Sequence, residues 1–514
     1  MSLTPPPSMP SETALQSVRE NLKDNVFRGV GGFWAKYFVD KSWSAAAQSE
    51  MQGTESAHVV GKLAADVLDL AHLDALTEWL ATFQAAFDAP GFHFRSQSTT
   101  TPDSPFRASI YLETPGGQGV AGSTRVFGEY HHGSAPAAAE DDGDFTASSP
   151  HLFVQALAGY AMMSDEECGI NTFVKRLGSK SDGYVSLHLD DLLYLGPDVI
   201  AAPNYLVGLG TTCYAASAST IGEPNIVVKF SWRMDETPTE LQALKRAGER
   251  NVWGVIRLLG YRDLGSIAGI RQGLQFPRPF IDRNLSCVVT APLGRPIQKF
   301  ASIRELLEVL RDLVKALRSL HIDGRMIHRD IAIKNVVINS QHGDDSPKGV
   351  LIDFDQALDL DNRRDVEPLV GSDGFMAIGI LSWRPHTYRH DLESLFYVFL
   401  WLAIGNDREH DDAYEILEGL PKTSRLWKWC SMDFYAVGQV KAVDMSPEGF
   451  LGILDEFSAD FASLQGLAQK LHGLIFPVRD GKIFTGTETE QAAIERLYDG
   501  TADAFNQAAL GFQD

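Results

Sequence analysis

Apolar residues recur at helical spacing in several segments of the chain, most clearly over residues 301–321. Steps of three and four residues connect its apolar positions, which are Ile303, Leu306, Leu307, Leu310, Leu313, Val314, Leu317 and Leu320. Ser302 and Glu305 form a capping-box sequence at the start, and Gly324 is a stop signal at the end. The pattern therefore predicts a buried helix that leads into the segment MIHRDIAIKNVVI, residues 326–338.

Shorter apolar runs before that helix predict strands. The candidates are YVSLHL, NYLVGLGTTCYAASAS and NIVVKFSW, which begin at residues 184, 204 and 225. In the last run Lys229 alternates with Val228 and Phe230, so we expect its side chain on the opposite face of the strand. The segment CVVTAPLGRPIQKF, residues 287–300, predicts a strand followed by a connection to the long helix.

The two ends of the chain have patterns of their own. Residues 1–20 contain several Pro and Ser residues and predict a disordered arm. Residues 21–150 predict an N-terminal α/β extension with helices, possible strands at RASIYLE and TRVFGEYHH, and an acidic loop over 134–149. After residue 445 the chain predicts amphipathic helices and an acid-rich tail, with no motif that carries chemistry.

Charge and cysteine content limit the classes of partner and compartment. Asp and Glu number 67 against 45 Lys and Arg, a net charge of −22 that disfavours nucleic acid and membrane and favours basic proteins as partners. Four widely spaced cysteines without a C-x-x-C pair predict reduced thiols. The N-terminus lacks a secretory signal pattern, and the apolar run 395–404 is too short to span a bilayer. We therefore expect a cytoplasmic or nuclear protein.

Two carboxylates and an amide stand where strand-like runs end, in a spacing that suits Mg-ATP chemistry. Asp330 and Asn335 occur in HRDIAIKN, and Asp353 follows the apolar run GVLI. Phosphoryl transfer needs a residue that orients the attacking hydroxyl and ligands that hold the metal on the phosphates. Two acids in ordinary turns would be the plain alternative, but the octet followed by an Asp-Phe pair rarely arises by chance.

A candidate phosphate-binding set lies upstream of these residues. Gly208 and Gly210 form a glycine turn whose backbone N–H groups can approach phosphates, because glycine has no Cβ. Lys229 follows on the next predicted strand, and Glu240 in the helical segment after it is our choice as its ion-pair partner. Glu236 is the rival partner, and a surface lysine and a solvated glutamate are the plain alternatives.

This series of glycine turn, lysine, glutamate, HRDIAIKN and LIDFD resembles the eukaryotic protein kinase fold. The later segments GSDGFMAIGIL and RHDLESLFYVFLWL narrow the resemblance to the fungal-type protein kinase family. It implies an α+β, two-lobed protein-kinase-like fold that uses ATP and Mg2+ on a protein substrate. We expect the kinase domain over 151–475, with a small β-rich N-lobe over about 151–290, a helical C-lobe over about 291–475, and a C-terminal tail over 476–514.

The resemblance also implies roles for single residues. Asp330 would be the catalytic base, with the basic residues Arg329 and Lys334 in the same loop. Asn335 and Asp353 would hold the metal ion. Four more residues would hold the nucleotide phosphates or the lysine that binds them, namely Gly208, Gly210, Lys229 and Glu240. Asp391 would anchor the catalytic loop, with a plain helix N-cap as the alternative.

Several positions depart from the pattern of protein kinases. Asp355 replaces the glycine of D-F-G, which removes a residue that tolerates positive φ. Ala377-Ile378-Gly379 replaces Ala-Pro-Glu and loses a segment-locking glutamate. Ala332 replaces the lysine common in serine/threonine kinases, while Lys334 matches tyrosine kinases, so the loop leaves the acceptor open. For Ser372 we expect a packing role rather than phosphorylation.

Three functions therefore stay open at this point. The first is an active protein kinase that transfers the γ-phosphoryl group to a protein hydroxyl, with Ser or Thr ahead of Tyr. The second is a pseudokinase that binds nucleotide or partners without turnover, which Asp355 and the missing Ala-Pro-Glu motivate. The third is a small-molecule phosphotransferase, because fold alone does not define function. The sequence does not predict the oligomeric state.

Overall fold

A computed structural model of the chain describes part of the N-terminal region and most of the remainder. The described residues are 32–38, 41, 73–86, 93–98, 107–113, 124–131, 156–160, 162–164, 166–167, 171–176, 185–202, 208–234, 240–340, 343, 345–363, 368–405, 420–421, 423–430 and 433–512. The predicted arm over 1–20, the acidic loop over 134–149 and Glu236 lie outside them. The chain divides into two compact units. The first contains Met1–Gly222, Phe230–Met234 and Asp263–Ser286, and the second contains Glu223–Lys229, Asp235–Arg262 and Cys287–Asp514.

Strands and helices alternate irregularly along the chain, so the predicted α+β class is confirmed. The strands are β1 (His93–Ser98), β2 (Arg107–Glu113), β3 (Thr124–His131), β4 (Val174–Arg176), β5 (Val185–His188), β6 (Leu192–Ala201), β7 (Thr212–Ser217), β8 (Ile226–Arg233), β9 (Arg257–Ser266), β10 (Asn284–Ala291), β11 (Arg295–Pro296), β12 (Met326–Ile327), β13 (Val336–Ile338), β14 (Gly349–Leu351), β15 (Leu358–Asp359), β16 (Val478–Arg479) and β17 (Lys482–Ile483). The α-helices are α1 (Phe33–Phe38), α2 (Leu73–Ala86), α3 (Glu240–Glu249), α4 (Ile267–Arg271), α5 (Ile303–Ile322), α6 (Ile378–Leu381), α7 (Tyr388–Ile404), α8 (Phe434–Asp444), α9 (Pro447–Leu454), α10 (Gln465–Ile475) and α11 (Gln491–Leu510). Short 3-10 turns occupy Ile297–Lys299, Ile333–Asn335, Phe354–Gln356, Arg425–Trp429 and Ala459–Leu464.

The largest sheet has seven strands in the order β4-β5-β6-β7-β8-β10-β9, and β1-β2-β3 form a separate antiparallel sheet. The strands predicted from RASIYLE, TRVFGEYHH, YVSLHL and NIVVKFSW are confirmed. Strand β6 was not predicted, because Gly196 and Pro197 interrupt its apolar pattern. Its pairing with β7 shifts register after Leu195, which accommodates a proline that has no N–H to donate.

Helix α5 is the centre of the core in the second unit. Ser302 caps its first turn by accepting a hydrogen bond from the N–H of Glu305 at 3.1 Å. The Glu305 carboxylate accepts a hydrogen bond from the N–H of Ala301 at 2.6 Å, and not from the N–H of Ser302 as the predicted capping box requires. The predicted apolar face is buried except for the half-buried Ile303, and Leu306, Leu310 and Leu313 have 0% exposure. The long periodic segment therefore forms the helix that the sequence predicts.

Helices α7 and α11 extend this core. All residues of α7 are buried, which confirms that the apolar run 395–404 belongs to a core helix. The segment 476–514, which the sequence predicts as a tail, contains α11, and its side chains Ile494, Tyr498 and Phe505 belong to the same core. Among the helices that the structure describes, none combines the length and the apolarity needed to cross a bilayer.

The turn after α3 shows how closely this core is packed. Gly254 has φ 76°, and a Cβ at this position would lie 2.4 Å from the Cβ of Ala316 on α5. Its carbonyl accepts a hydrogen bond from the N–H of Leu351 at 2.9 Å, so the turn is attached to strand β14 as well. Only glycine fits both the backbone conformation and the available space.

We expect Gly254→Ala to lower the free energy of unfolding by about 2 to 4 kcal/mol, because the methyl group overlaps Ala316 at a positive φ. Urea unfolding monitored by circular dichroism measures the change. Gly248→Ala is the matched control, since a Cβ there meets nothing within 4 Å, and it should stabilise by at most about 1 kcal/mol. Equal stabilities for the two variants would contradict this packing.

Candidate functional site

Two short strands bring the predicted metal-binding residues together. Val336 pairs with Leu351 in the β13–β14 ladder, so the residues that precede and follow these strands are neighbours. The N–H of Ile352 donates to the carbonyl of Asn335 at 3.0 Å. Asp353 follows immediately and adopts the left-handed conformation, with φ 64°. The local backbone thus places Asn335 and Asp353 at the same end of the small sheet.

The carboxylate of Asp330 is held on both oxygens. The side-chain amide of Asn335 donates to its Oδ2 at 2.8 Å, and the hydroxyl of Ser372 donates to its Oδ1 at 2.6 Å. The Asn335 amide also donates to the Asp330 carbonyl at 2.8 Å. For Ser372 the sequence suggested packing, and the structure gives its hydroxyl a direct polar contact with the predicted base.

Asp391 fixes the backbone that carries Asp330. Its carboxylate accepts hydrogen bonds from the N–H of His328 at 2.8 Å and of Arg329 at 3.0 Å, and it contacts His386 Nε2 at 3.1 Å. Burial alone would raise its pKa, but these interactions with His386 and His328 outweigh burial and hold the pKa below the ordinary value. The N-cap of α7 is Thr387, so the plain N-cap alternative for Asp391 is wrong.

Lys229 lies among three carboxylates. Its Nζ is 3.2 Å from Glu240 Oε2, 2.9 Å from Asp353 Oδ1 and 2.8 Å from Asp355 Oδ2. Burial would raise the pKa of Asp353, but the charge and hydrogen bond of Lys229 dominate and hold that pKa well below its usual range. One ammonium against three carboxylates leaves a formal charge of −2, which suits a site for a divalent cation and phosphates.

Asp355 causes no backbone strain in place of the D-F-G glycine. It lies in the 3-10 turn Phe354–Gln356, and the left-handed residue of this stretch is Asp353. Position 355 therefore does not require a residue that tolerates positive φ in this conformation. The substitution instead adds a carboxylate to the surroundings of Lys229.

The remaining predicted site residues are Gly208, Gly210, Arg329 and Lys334. Gly208 and Gly210 belong to the first unit, with φ 155° and 57°, and the residue between them, Leu209, accepts a hydrogen bond from the N–H of Trp232 at 2.6 Å. Lys334 is exposed and has no hydrogen bond or ion pair with any residue that the structure describes. Arg329 has φ 69°, and its Nε donates to the Gln356 carbonyl at 2.7 Å.

Two residues in the connection after β10, Pro292 and Leu293, have no free backbone donor. In the kinase fold that the sequence resembles, backbone groups near Thr290 to Leu293 would hold adenine. Pro292 has no N–H, and the N–H of Leu293 donates to the carbonyl of Asn225 at 3.0 Å. An incoming base would therefore compete with Asn225 for the Leu293 donor.

The segment that lacks Ala-Pro-Glu is locked by a residue from α7. Glu393 Oε1 accepts hydrogen bonds from the N–H of Ile378 at 2.7 Å and from the Tyr397 hydroxyl at 2.8 Å. Its other oxygen binds Arg389 at 2.5 Å, one helical turn away. We did not predict this pair from the sequence. Its signal was two opposite charges at i and i+4 in the first turns of a helix that continues as the apolar run 395–404, where an unpaired buried charge would be costly.

Lys441 of α8 provides a second lock. Its fully buried ammonium donates to the carbonyls of Gly374 at 2.7 Å and Met376 at 2.8 Å. It also lies 4.1 Å from the Tyr397 ring centroid and 4.8 Å from that of Trp429. Burial is the largest influence on this group and lowers the pKa of Lys441 to about 7.

Comparison with known proteins identifies the family of the chain. The profile of the family described as "Fungal protein kinase" matches residues 140–403, just over half of the chain. The chain belongs to this family, which confirms the resemblance and the kinase-like fold.

Two individual proteins are similar over parts of the chain. Mitogen-activated protein kinase kinase 5 of Leishmania mexicana is 29% identical over 156 residues, which are 30% of this chain and 26% of that protein. The chain thus spans about a quarter of the length of this relative. The solved structure of vaccinia related kinase 3 has 14% identity and a TM-score of 0.37, covering 63% of this chain and 91% of that chain.

The buried amine of Lys441 makes a prediction about pH. Its folded pKa of about 7 lies below the ordinary lysine pKa of 10.5, so the unfolded chain binds more protons between these values and stability rises with pH there. Relative to Lys441→Met, the free energy of unfolding of the wild type should rise by about 2 kcal/mol from pH 7 to pH 9.

Denaturant unfolding at both pH values measures this difference. Lys470→Met, at an exposed position, is the matched control and should leave the pH dependence unchanged. A difference between wild type and Lys441→Met that stays constant over this pH range would show that Lys441 does not change its protonation on unfolding.

Proposed function

We propose that this protein is an ATP-dependent protein kinase that transfers the γ-phosphoryl group of Mg-ATP to a protein hydroxyl. One observation carries the proposal. Within the second unit, Lys229 contacts Asp353. Ile352, the residue before Asp353, donates its N–H to the carbonyl of Asn335, and the Asn335 side chain contacts Asp330. The phosphate-binding, metal-binding and base candidates therefore form a continuous set, as phosphoryl transfer requires.

The residues present fit a magnesium ion and a nucleotide. Asn335 donates through its amide nitrogen to Asp330, which leaves its amide oxygen as a ligand. Asp353 is the anionic ligand, since its low pKa keeps the carboxylate ionised at neutral pH. Carboxylate and amide oxygens suit Mg2+, which usually shares its coordination with substrate phosphates and water. When bound, the metal would neutralise charge on the phosphates, and Lys229 would exchange carboxylate partners for phosphate oxygens.

Asp330 is the proposed base. Its carboxylate would accept the proton of the acceptor hydroxyl as the new P–O bond forms, while the bond between the γ-phosphorus and the β,γ-bridging oxygen breaks and ADP leaves. The hydrogen bonds from Ser372 and Asn335 fix the orientation of the carboxylate, and Asp391 fixes the two backbone N–H groups just before it, those of His328 and Arg329. Orientation of this kind supplies most of what an enzyme contributes to phosphoryl transfer.

For the acceptor we propose Ser or Thr, with Tyr as the alternative outcome of the assay. The net charge of −22 favours a basic protein substrate through long-range attraction. This preference should weaken as ionic strength rises, because salt screens charges that are separated by more than about 10 Å.

We expect Asp330→Asn to reduce phosphate incorporation into a generic basic protein by a factor of about 10² to 10⁴, since the variant cannot accept the hydroxyl proton. Labelled ATP with Mg2+ measures transfer, and acid hydrolysis of the product identifies the acceptor residue. Exposed Asp345 provides the control Asp345→Asn, which should retain full activity. Equal incorporation by wild type and Asp330→Asn would exclude Asp330 as the base.

A second candidate function is a pseudokinase, and the three carboxylates on Lys229 favour it. If Lys229 stays bound to Asp353 and Asp355, phosphates gain no access to its ammonium. A nucleotide-binding measurement separates a scaffold that binds no nucleotide from an enzyme before any turnover is measured, and a pseudokinase that binds nucleotide is separated by the transfer assay.

We expect ATP with Mg2+ to stabilise the folded protein by about 2.7 kcal/mol at a hundredfold excess over Kd, because only the folded state binds the ligand. A thermal-shift titration measures this effect, with Lys229→Met as the variant that should lose most of it. Lys470→Met is the control lysine. If the wild type unfolds in a sharp transition whose temperature ATP and Mg2+ do not change, the result would favour a scaffold that binds no nucleotide.

A further inference from the structure

The segment that follows the Asp-Phe pair has no side chain that can be phosphorylated. From Asp353 to Gly371 the sequence reads DFDQALDLDNRRDVEPLVG, which contains no Ser, Thr or Tyr. The next hydroxyl is that of Ser372, and it donates to Asp330. A phosphate that orders an activation segment by pairing with arginines has no attachment point in this stretch.

A carboxylate in this segment nevertheless binds three arginines. Asp361 accepts hydrogen bonds from Arg250 Nη2 at 3.2 Å, from Arg325 Nε at 3.2 Å and from Arg246 Nη2. Asp359 adds a bond from Arg246 Nη1 at 2.6 Å. The N–H of Asp361 donates to Asp359 Oδ1 at 2.9 Å, which fixes the orientation of the pair.

The three arginines come from two elements that carry active-site residues. Arg246 belongs to α3 and Arg250 follows its end, and α3 begins with Glu240, the partner of Lys229. Arg325 stands immediately before β12, which leads to the loop of Asp330. Asp361 therefore connects the helix that holds Lys229 with the strand that leads to the base.

The surrounding backbone keeps Asp361 in place. Met326 of β12 pairs with Asp359 of β15, and the N–H of Leu360 donates to the carbonyl of Arg325 at 2.9 Å. Arg250 also donates to the carbonyl of Gly324 at 3.0 Å. Individual ion pairs at partly exposed positions contribute little, but here three cations share one acid that two backbone bonds already position.

We propose that Asp361 is a positioning residue that holds α3 against the catalytic loop. Its carboxylate is permanent and takes the place that a phosphate group on residues 353–371 would have between the arginines. The inference rests on the proposed kinase function. It predicts an enzyme whose activity does not depend on phosphorylation of residues 353–371. Asp361 acts through Glu240 and Lys229, and it does not touch the reacting groups.

The test compares Asp361→Asn, Asp361→Glu and the control Asp480→Asn, whose parent residue is exposed in the turn between β16 and β17. Each full-length protein is treated with a broad-specificity phosphatase and then repurified. Two quantities are measured, the steady-state kinetics with Mg-ATP and a basic protein, and the hydrogen exchange of the backbone amides of Glu240–Glu249. The second measurement needs no catalytic activity.

We expect phosphatase treatment to leave the wild-type kcat unchanged. Asp361→Asn should lower kcat/KM for ATP about 5- to 10-fold and speed exchange in α3 by a similar factor, as the loss of a charge-assisted network predicts. Asp361→Glu should restore both quantities to within about twofold because it restores the charge. A general loss of stability would not be rescued in this way, and it would raise exchange throughout the second unit.

Two results would overturn the inference. One is unchanged exchange in α3 and unchanged kinetics for Asp361→Asn, and the other is loss of wild-type activity after phosphatase treatment. If the wild type is inactive before and after treatment, while Asp361→Asn alone speeds exchange in α3, the contact stands and the proposed kinase function fails.

Discussion

The ammonium of Lys229 and its three carboxylate partners form the interaction on which the proposed site depends. Glu240 comes from a helix, while Asp353 and Asp355 come from the turn after a short strand, so one cation joins two separate elements. An uncompensated carboxylate in this position would be costly to bury, and three of them need either the lysine or a metal ion. The set is therefore stable without a ligand and still attracts a divalent cation, which reconciles folding with phosphate binding.

Buried polar residues on α7 and α8 hold the loop of Asp330 and the segment that follows it in place. Asp391 on the fully buried helix α7 fixes the loop of Asp330, and Glu393 on the same helix fixes the segment near Ile378. Lys441 binds the carbonyls of Gly374 and Met376 in the same segment. These buried polar groups each have a specific partner, and such contacts define a single arrangement more strictly than apolar packing does. The missing Ala-Pro-Glu motif is thus compensated by contacts at other positions.

Local sequence patterns indicated the residues of the proposed site, but they did not indicate most of the long-range contacts that hold these residues. HRDIAIKN and LIDFD follow strands, and the helix 301–321 has strict periodicity, so period and position were sufficient there. Asp361 and its arginines are more than 35 residues apart in sequence, for example 111 residues from Arg250, and no local spacing indicates such a pair. Strand β6 escaped detection because Gly196-Pro197 breaks its alternation. Lys441 escaped because a lysine is ordinarily a surface residue.

The central claim is that Lys229 faces the phosphates of one bound nucleotide, and lysine labelling with an ATP acyl-phosphate tests it most directly. The reagent transfers its acyl group to an amine beside the nucleotide phosphates, and mass spectrometry of the digested protein identifies the lysine. The account predicts labelling of Lys229 that excess Mg-ATP suppresses and that Lys229→Met removes. Labelling confined to other lysines, or labelling of Lys229 that excess Mg-ATP does not reduce, would contradict it.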